Sequence, residues 1–124
     1  MRIKSLVTTL TLVFVLLCSS VAYAWTIIEY YTVINHTSSQ IQGYVVTGCD
    51  VTVDKITERG WLYRDGTLVK TNTGGGVNTD YSQCPVFASN PSGAQDWELD
   101  GSHTATYGGT TKGPWPSNSG LYGI

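Results

Sequence analysis

Apolar and polar residues alternate along the middle of the chain. Between residues 40 and 54 most polar side chains fall on even positions, and the odd positions carry Ile41, Val45, Cys49, Val51 and Val53. Successive side chains of a β-strand point to opposite faces, so this period of two predicts a long strand with Cys49 on its buried face. Gly48 is expected to bend this strand or to mark a bulge within it.

Further strands are predicted where β-branched and aromatic residues cluster, over residues 25–34, 61–69, 81–87 and 97–107. Asp65-Gly66 interrupts the second of these and predicts a tight hairpin, because Gly66 can adopt the positive φ that such a turn needs. Asp100-Gly101 suggests a second hairpin or a sharp bend, and Gly74–Gly76 a flexible loop. No segment after residue 24 shows a helical period, so we expect an all-β fold.

The first 24 residues have the pattern of a secretory signal peptide. A basic start is followed by an apolar run, residues 6–18, that is too short to span a membrane, and Ala22-Tyr23-Ala24 provides the small residues of a cleavage site. The mature protein is therefore expected to begin at Trp25, to be secreted and to have no membrane span.

Two of the three cysteines remain after this cleavage. Cys18 lies within the signal, and the bulky Leu17 before it argues against its use as a lipid anchor. Outside the reducing cytoplasm, Cys49 and Cys84 are predicted to form one disulfide. It would close a loop of about 36 residues, which the chain-entropy estimate values at roughly 4 kcal/mol.

Charge and composition limit the classes of partner that the protein could bind and indicate how its domains are organised. Removing Arg2 and Lys4 changes 7 basic and 9 acidic residues to 5 and 9, which takes the net charge from −2 to −4. This balance argues against binding to nucleic acid or to anionic membrane surfaces. We expect one β-sandwich domain over residues 25–110, and a flexible tail over residues 111–124, where Gly, Pro and Ser are frequent.

A resemblance follows from the order of four features. Cys49 in a strand, Trp61 twelve residues later, Tyr81 and then Cys84 resemble the core of immunoglobulin-like domains, as found in small secreted bacterial β-sandwich proteins. The resemblance implies an immunoglobulin-like antiparallel β-sandwich with one disulfide, on which the Trp61 ring packs. The pattern departs from the family in spacing, since Tyr81 stands three rather than two residues before Cys84.

The sequence offers no clear catalytic or metal centre. His36 and His103 have no metal-ligand spacing, and a Ser, His and Asp triad could be assembled only by arbitrary choice. The acids at positions 96, 98 and 100 are most simply one solvated strand face. We therefore expect a protein that is not an enzyme and needs no cofactor.

Aromatic residues are the best candidates for binding. The chain after residue 24 has more Trp and Tyr than a small sandwich core can bury, and the candidates for an exposed platform are Trp25, Tyr31, Tyr44, Tyr63 and Trp115. The leading hypothesis is a secreted, non-enzymatic protein that contacts an extracellular protein or cell-surface partner. The alternative is a carbohydrate-binding module, and a small secreted hydrolase comes third. The oligomeric state stays open.

Overall fold

The structure is a computed structural model that describes residues 24–124. Residues 1–23, which hold almost all of the predicted signal peptide and Cys18, lie outside the described residues. All regular structure from residue 24 onward is β, and this part of the chain has no helix that could cross a membrane. The strands are β1 (Ile27–His36), β2 (Gln40–Arg64), β3 (Thr67–Ser89), β4 (Trp97–Tyr107) and β5 (Thr110–Leu121).

The five strands form one antiparallel sheet that curls into a half-barrel. The first part of β2, residues 41–49, pairs with β1, and its last part, residues 55–64, pairs with β4, which in turn pairs with β5. Strand β3 follows β2 along both parts on the other side. Their register shifts between Gly48 and Val53. This irregularity confirms the bend or bulge that was predicted at Gly48. It lets the two parts of the sheet face each other.

The core lies between these two parts and forms two apolar clusters. The larger cluster contains Ile34, Ile41, Val45, Leu62, Cys84, Val86, Trp97 and Leu99. The smaller contains Trp25, Ile27, Cys49, Val53, Ile56 and Ala105. The predicted alternation on β2 is confirmed for these buried residues, although Val51, at the irregular stretch, is exposed.

Glycines allow the two parts of the sheet to approach closely. A Cβ atom at Gly60 would lie 2.5 Å from Cγ2 of Val86, and one at Gly101 would lie 2.7 Å from Cγ2 of Thr32. Both distances are shorter than real contacts allow. Gly101 lies in the middle of β4, where this close packing leaves no room for a side chain. The turn predicted at Asp100-Gly101 is therefore wrong, because both residues continue the strand.

The hairpin predicted at Asp65-Gly66 is confirmed. These two residues join β2 to β3, with φ values of 50° and 80°. Both fall in the left-handed region that a type I′ turn requires, and Arg64 pairs with Thr67 across the turn.

Two segments predicted to be irregular belong to the sheet instead. Gly74–Gly76 lie within β3 and pair with residues 56–58 of β2. The predicted flexible tail over residues 111–124 is also wrong, because β5 occupies residues 110–121 and pairs with β4. This segment can form a strand although it has few apolar side chains, because main-chain hydrogen bonds hold it to β4. Pro114 and Pro116, which have no N–H to donate, are tolerated because β5 pairs on one side only.

The predicted disulfide is absent, and Cys49 and Cys84 are both buried free thiols. Cys84 lies opposite Val45 on β2, whereas Cys49 lies four residues farther along that strand and opposite Ile27. At about 3.3 Å per residue, four residues span roughly 13 Å, whereas bridged Cα atoms lie within about 7 Å. The strand register thus places the two sulfurs in different apolar clusters.

Candidate functional site

A groove crosses the outer face of the sheet where β2, β4 and β5 lie side by side. We call it the outer groove; it has a volume of about 700 Å³, and its walls include Trp61, Glu98, Asp100, Pro116, Ser117 and Asn118. Trp61 pairs with Asp100, and Asp100 pairs with Asn118. Residues paired across antiparallel strands share a face, so an indole, a carboxylate and an amide stand in one row.

The indole of Trp61 is partly exposed in this row. The guanidinium carbon of Arg59, two residues earlier on the same face, lies 5.0 Å from the ring centroid. Such a cation–π contact restrains the ring and leaves an oriented aromatic surface toward solvent. The resemblance to immunoglobulin domains implied that Trp61 packs in the core; this is wrong, because Leu62 and Gly60 occupy the inward positions on either side of it.

Two carboxylates stand beside the indole. Glu98 and Asp100 are two residues apart on β4 and so point to the same outer face. The negative charge of Asp100 raises the pKa of the Glu98 carboxyl, and a hydrogen bond between the two carboxyl groups adds to this effect. The pair therefore offers several acceptor oxygens that hydroxyl or ammonium donors of a ligand can satisfy. Within residues 24–124 there is no cluster of three or more His, Cys, Asp or Glu residues that could hold a metal ion.

The two tryptophans predicted for the binding platform are placed differently from each other. Trp25 is only 3 % exposed and packs edge-on against Tyr107 at 6.1 Å, so the prediction of an exposed ring is wrong here. Trp115 is half-buried; its ring packs against Tyr30 at 5.1 Å between centroids, and the residue also lines the outer groove.

The predicted tyrosines do not form one surface. Tyr63 is half-buried on β2, on the same face as Glu98 and next to the outer groove. Tyr31, 41 % exposed, and Tyr44, half-buried against Phe87, lie on the part of the sheet formed by β1, the start of β2 and the end of β3. Trp61, which lines the groove together with Trp115, was not among the candidates. The alternation of Gly60, Trp61, Leu62 and Tyr63 was the signal that could have revealed it.

Inside the sheet, a row of polar side chains separates the two apolar clusters. We call it the polar chain, and it consists of Ser117, His103, Thr47 and Glu58. The Ser117 Oγ atom lies 2.7 Å from Nε2 of His103, and the Thr47 Oγ1 atom lies 2.8 Å from Nδ1. The Thr47 hydroxyl donates to Oε2 of Glu58 at 2.8 Å. Glu58 and His103 are paired on the adjacent strands β2 and β4. Thr47, on the first part of β2, reaches both of them through its side-chain hydrogen bonds.

Burial shifts the pKa values of the two titratable members of this chain. Loss of hydration lowers the pKa of His103 to about 4, so its ring is neutral at neutral pH. Loss of hydration likewise raises the pKa of Glu58, while the nearby hydroxyls of Ser82 and Thr47 partly oppose the shift. The second carboxyl oxygen of Glu58, Oε1, has no hydrogen-bond partner of good geometry. By contrast, His36 is exposed at the end of β1.

Comparisons with known proteins do not assign a family. No protein-family model matches this chain, and no curated protein matches it significantly. Among solved structures it is similar to the CARDB domain of a Pyrococcus furiosus protein, which was crystallised in complex with di-metal ions. That likeness has 11 % sequence identity and a TM-score of 0.44, and it covers 79 % of this chain and 90 % of that domain.

Proposed function

We propose that this protein is a secreted binding protein whose outer groove takes a carbohydrate. The observation that carries this proposal is the row of Trp61, Asp100 and Asn118 across three adjacent strands. The flat face of an indole packs well against the C–H face of a sugar ring, and a carboxylate and an amide on its flank can hydrogen-bond the ring hydroxyls. Support for secretion comes from the N-terminal sequence.

The character of the groove favours a sugar over other ligands. Its walls combine two partly exposed tryptophans, Trp61 and Trp115, with two carboxylates and an amide, so a purely apolar ligand would leave the polar groups without partners. Glu98 and Asp100 would repel phosphate or sulfate groups. A neutral or amino sugar carries no negative charge, and it offers hydroxyl or ammonium groups as partners for the polar groups of the groove.

The test is a glycan-array screen of the exported protein, followed by calorimetry with the best ligand. A sugar ring that covers about 70 Å² of the indole contributes about 2 kcal/mol at 25 cal/mol/Å². We therefore expect Trp61→Ala to weaken binding by about 20-fold or more. Tyr122→Ala is the matched control, because Tyr122 is an aromatic residue that is 74 % exposed and does not line the groove. Unchanged affinity in Trp61→Ala, or no bound glycan at all, would reject the proposal.

A second candidate function is binding of an extracellular protein through the opposite outer face. The observation that favours it is the aromatic surface of Tyr31, Tyr81, Tyr44 and Phe87 on the first part of the sheet, where Tyr31 and Tyr81 are 41 % and 49 % exposed. Affinity capture from the native medium that is lost in Tyr31→Ala but kept in Trp61→Ala would favour this function over sugar binding.

We also propose that the curled sheet is an immunoglobulin-like sandwich. Because β2 and β3 each run along both parts of the sheet, the five strands supply seven segments, the number in a constant-type domain. The departure is in the fourth segment, the first part of β3, which pairs with β2 rather than with the segment after it. An experimental structure of the exported protein tests this.

A further inference from the structure

Strand β3 has one edge that no other strand within residues 24–124 covers. It pairs with β2 along both parts of the sheet, and it contacts none of β1, β4 and β5. The main-chain N–H and C=O groups on its other side are therefore free to pair with a further strand. Proteins usually protect such edges with proline, a bulge, charged residues or a covering element.

The other free edges of the sheet carry this protection. Strand β5 contains Pro114 and Pro116, the second part of β3 contains Pro85, and β1 has a bulge near its start. Strands β1 and β5 also lie close to each other. Residues 70–80 of β3, which we call the open edge, have no proline and no covering strand within the described part of the chain. The open edge is thus the part of the sheet most suited to accept another strand.

The charges of the open edge are complementary to themselves when two copies run antiparallel. A twofold axis at Gly75 places Lys70 of one copy opposite Asp80 of the other, and the same pair recurs on the far side of the axis. Both side chains are exposed. Opposite charges that face each other across antiparallel strands stabilise the pairing, so this register is favoured over its neighbours.

The side chains close to this axis also fit each other. Gly74–Gly76 leave an apolar depression of about 420 Å³, which is bordered by Thr73 and Val77. Val77 is 71 % exposed, so its burial by a partner would be favourable. In the same register Val77 of each copy lies opposite Thr73 of the other, and its diagonal neighbour is Gly75 in the depression. An exposed side chain and a depression therefore meet twice in one interface.

We propose that the open edge pairs antiparallel with the open edge of a second copy of this chain, around a twofold axis at Gly75. The axis exchanges each residue with its partner, as in an isologous dimer. The two sheets become one continuous sheet with the two β3 strands at its centre. Because the axis is perpendicular to the sheet, the outer grooves of both copies open toward the same side. This assembly goes beyond the proposed binding function and does not depend on it.

The first experiment is sedimentation equilibrium of the exported protein over a range of concentrations, in which we expect a reversible dimer. Lys70→Glu should raise the dissociation constant of the dimer about 10-fold or more, because it replaces two attractive pairs by two repulsive ones. The double variant Lys70→Glu/Asp80→Lys should restore the affinity, since it reverses both charges. Circular dichroism checks that each variant is folded.

The second experiment tests the register by disulfide trapping at two exposed positions. A mixture of Thr73→Cys chains and Val77→Cys chains should give a cross-linked dimer on mild oxidation, because the two positions lie opposite each other in the proposed register. Thr73→Cys alone is the matched control. Its two copies would stand four residues apart, roughly 13 Å along the strands, which is beyond the reach of a disulfide. The native thiols of Cys49 and Cys84 are buried.

Several results would overturn the proposal. They are a monomer at every concentration, a dissociation constant that Lys70→Glu leaves unchanged, and a folded double variant that fails to regain the dimer. A cross-link in Thr73→Cys alone would place the axis at Thr73 and would contradict the register. Since none of these measurements uses a ligand, failure of sugar binding leaves their outcome unaffected.

Discussion

Acidification should destabilise the protein through His103, and the effect can be separated from all other titrations. The buried ring has a pKa of about 4 in the folded protein, below the ordinary value of 6.5. As the pH falls, the unfolded chain therefore binds this proton first. By linkage, the stability due to the neutral ring is fully present above pH 6.5 and is lost progressively down to pH 4.

The magnitude follows from the difference between the two pKa values. It amounts to about two and a half units at roughly 1.4 kcal/mol each, or about 3 kcal/mol in full. Glu58 contributes with the opposite sign, because its pKa is raised in the folded protein. The folded state binds that proton first, so this part of the stability increases as the pH falls toward the ordinary value of a glutamate.

The assay is urea unfolding at pH 7.0 and at pH 4.5, followed by circular dichroism, for the unaltered protein, Glu58→Gln and His103→Gln. Glu58→Gln removes the opposing contribution, so its loss of stability on acidification should exceed that of the unaltered protein. His103→Gln should show little loss or a gain. The same pH dependence in His103→Gln and in the unaltered protein would refute the reasoning, because the other titrating groups are common to both.

Two further predictions test the packing and the thiols. Gly60→Ala should lower the free energy of unfolding by about 1–3 kcal/mol, because its Cβ would lie 2.5 Å from Cγ2 of Val86; Thr71→Ala, an exposed position on the adjacent strand, should change thermal unfolding little in comparison. Cys49 and Cys84 should both react with iodoacetamide once the exported protein is unfolded without reductant, and slowly or not at all while it is folded. A protein that takes up the reagent only after reduction would contradict the strand register described above.

The groove and the polar chain differ in how far the sequence could reveal them. The alternation around Trp61 contains the information that its ring points away from Leu62, so its place on the outer face follows from a local rule. The contact between Thr47 and His103 joins residues 56 positions apart, and no local pattern indicates it. Both residues also fit an ordinary strand, which is why the sequence could not select His103 from the other polar positions.

What the sequence by itself determined is local: the period-two strand through Ile41 and Val45, the hairpin at Asp65-Gly66, and the bend near Gly48. Side-chain alternation and the φ values of a tight turn act over a few residues, so they can be recognised without the rest of the chain. Only the tertiary structure decided that the two cysteines lie in separate clusters and that residues 110–121 form an edge strand. Strand register and sheet curvature arise from contacts between distant segments, and the sequence of one segment does not contain them.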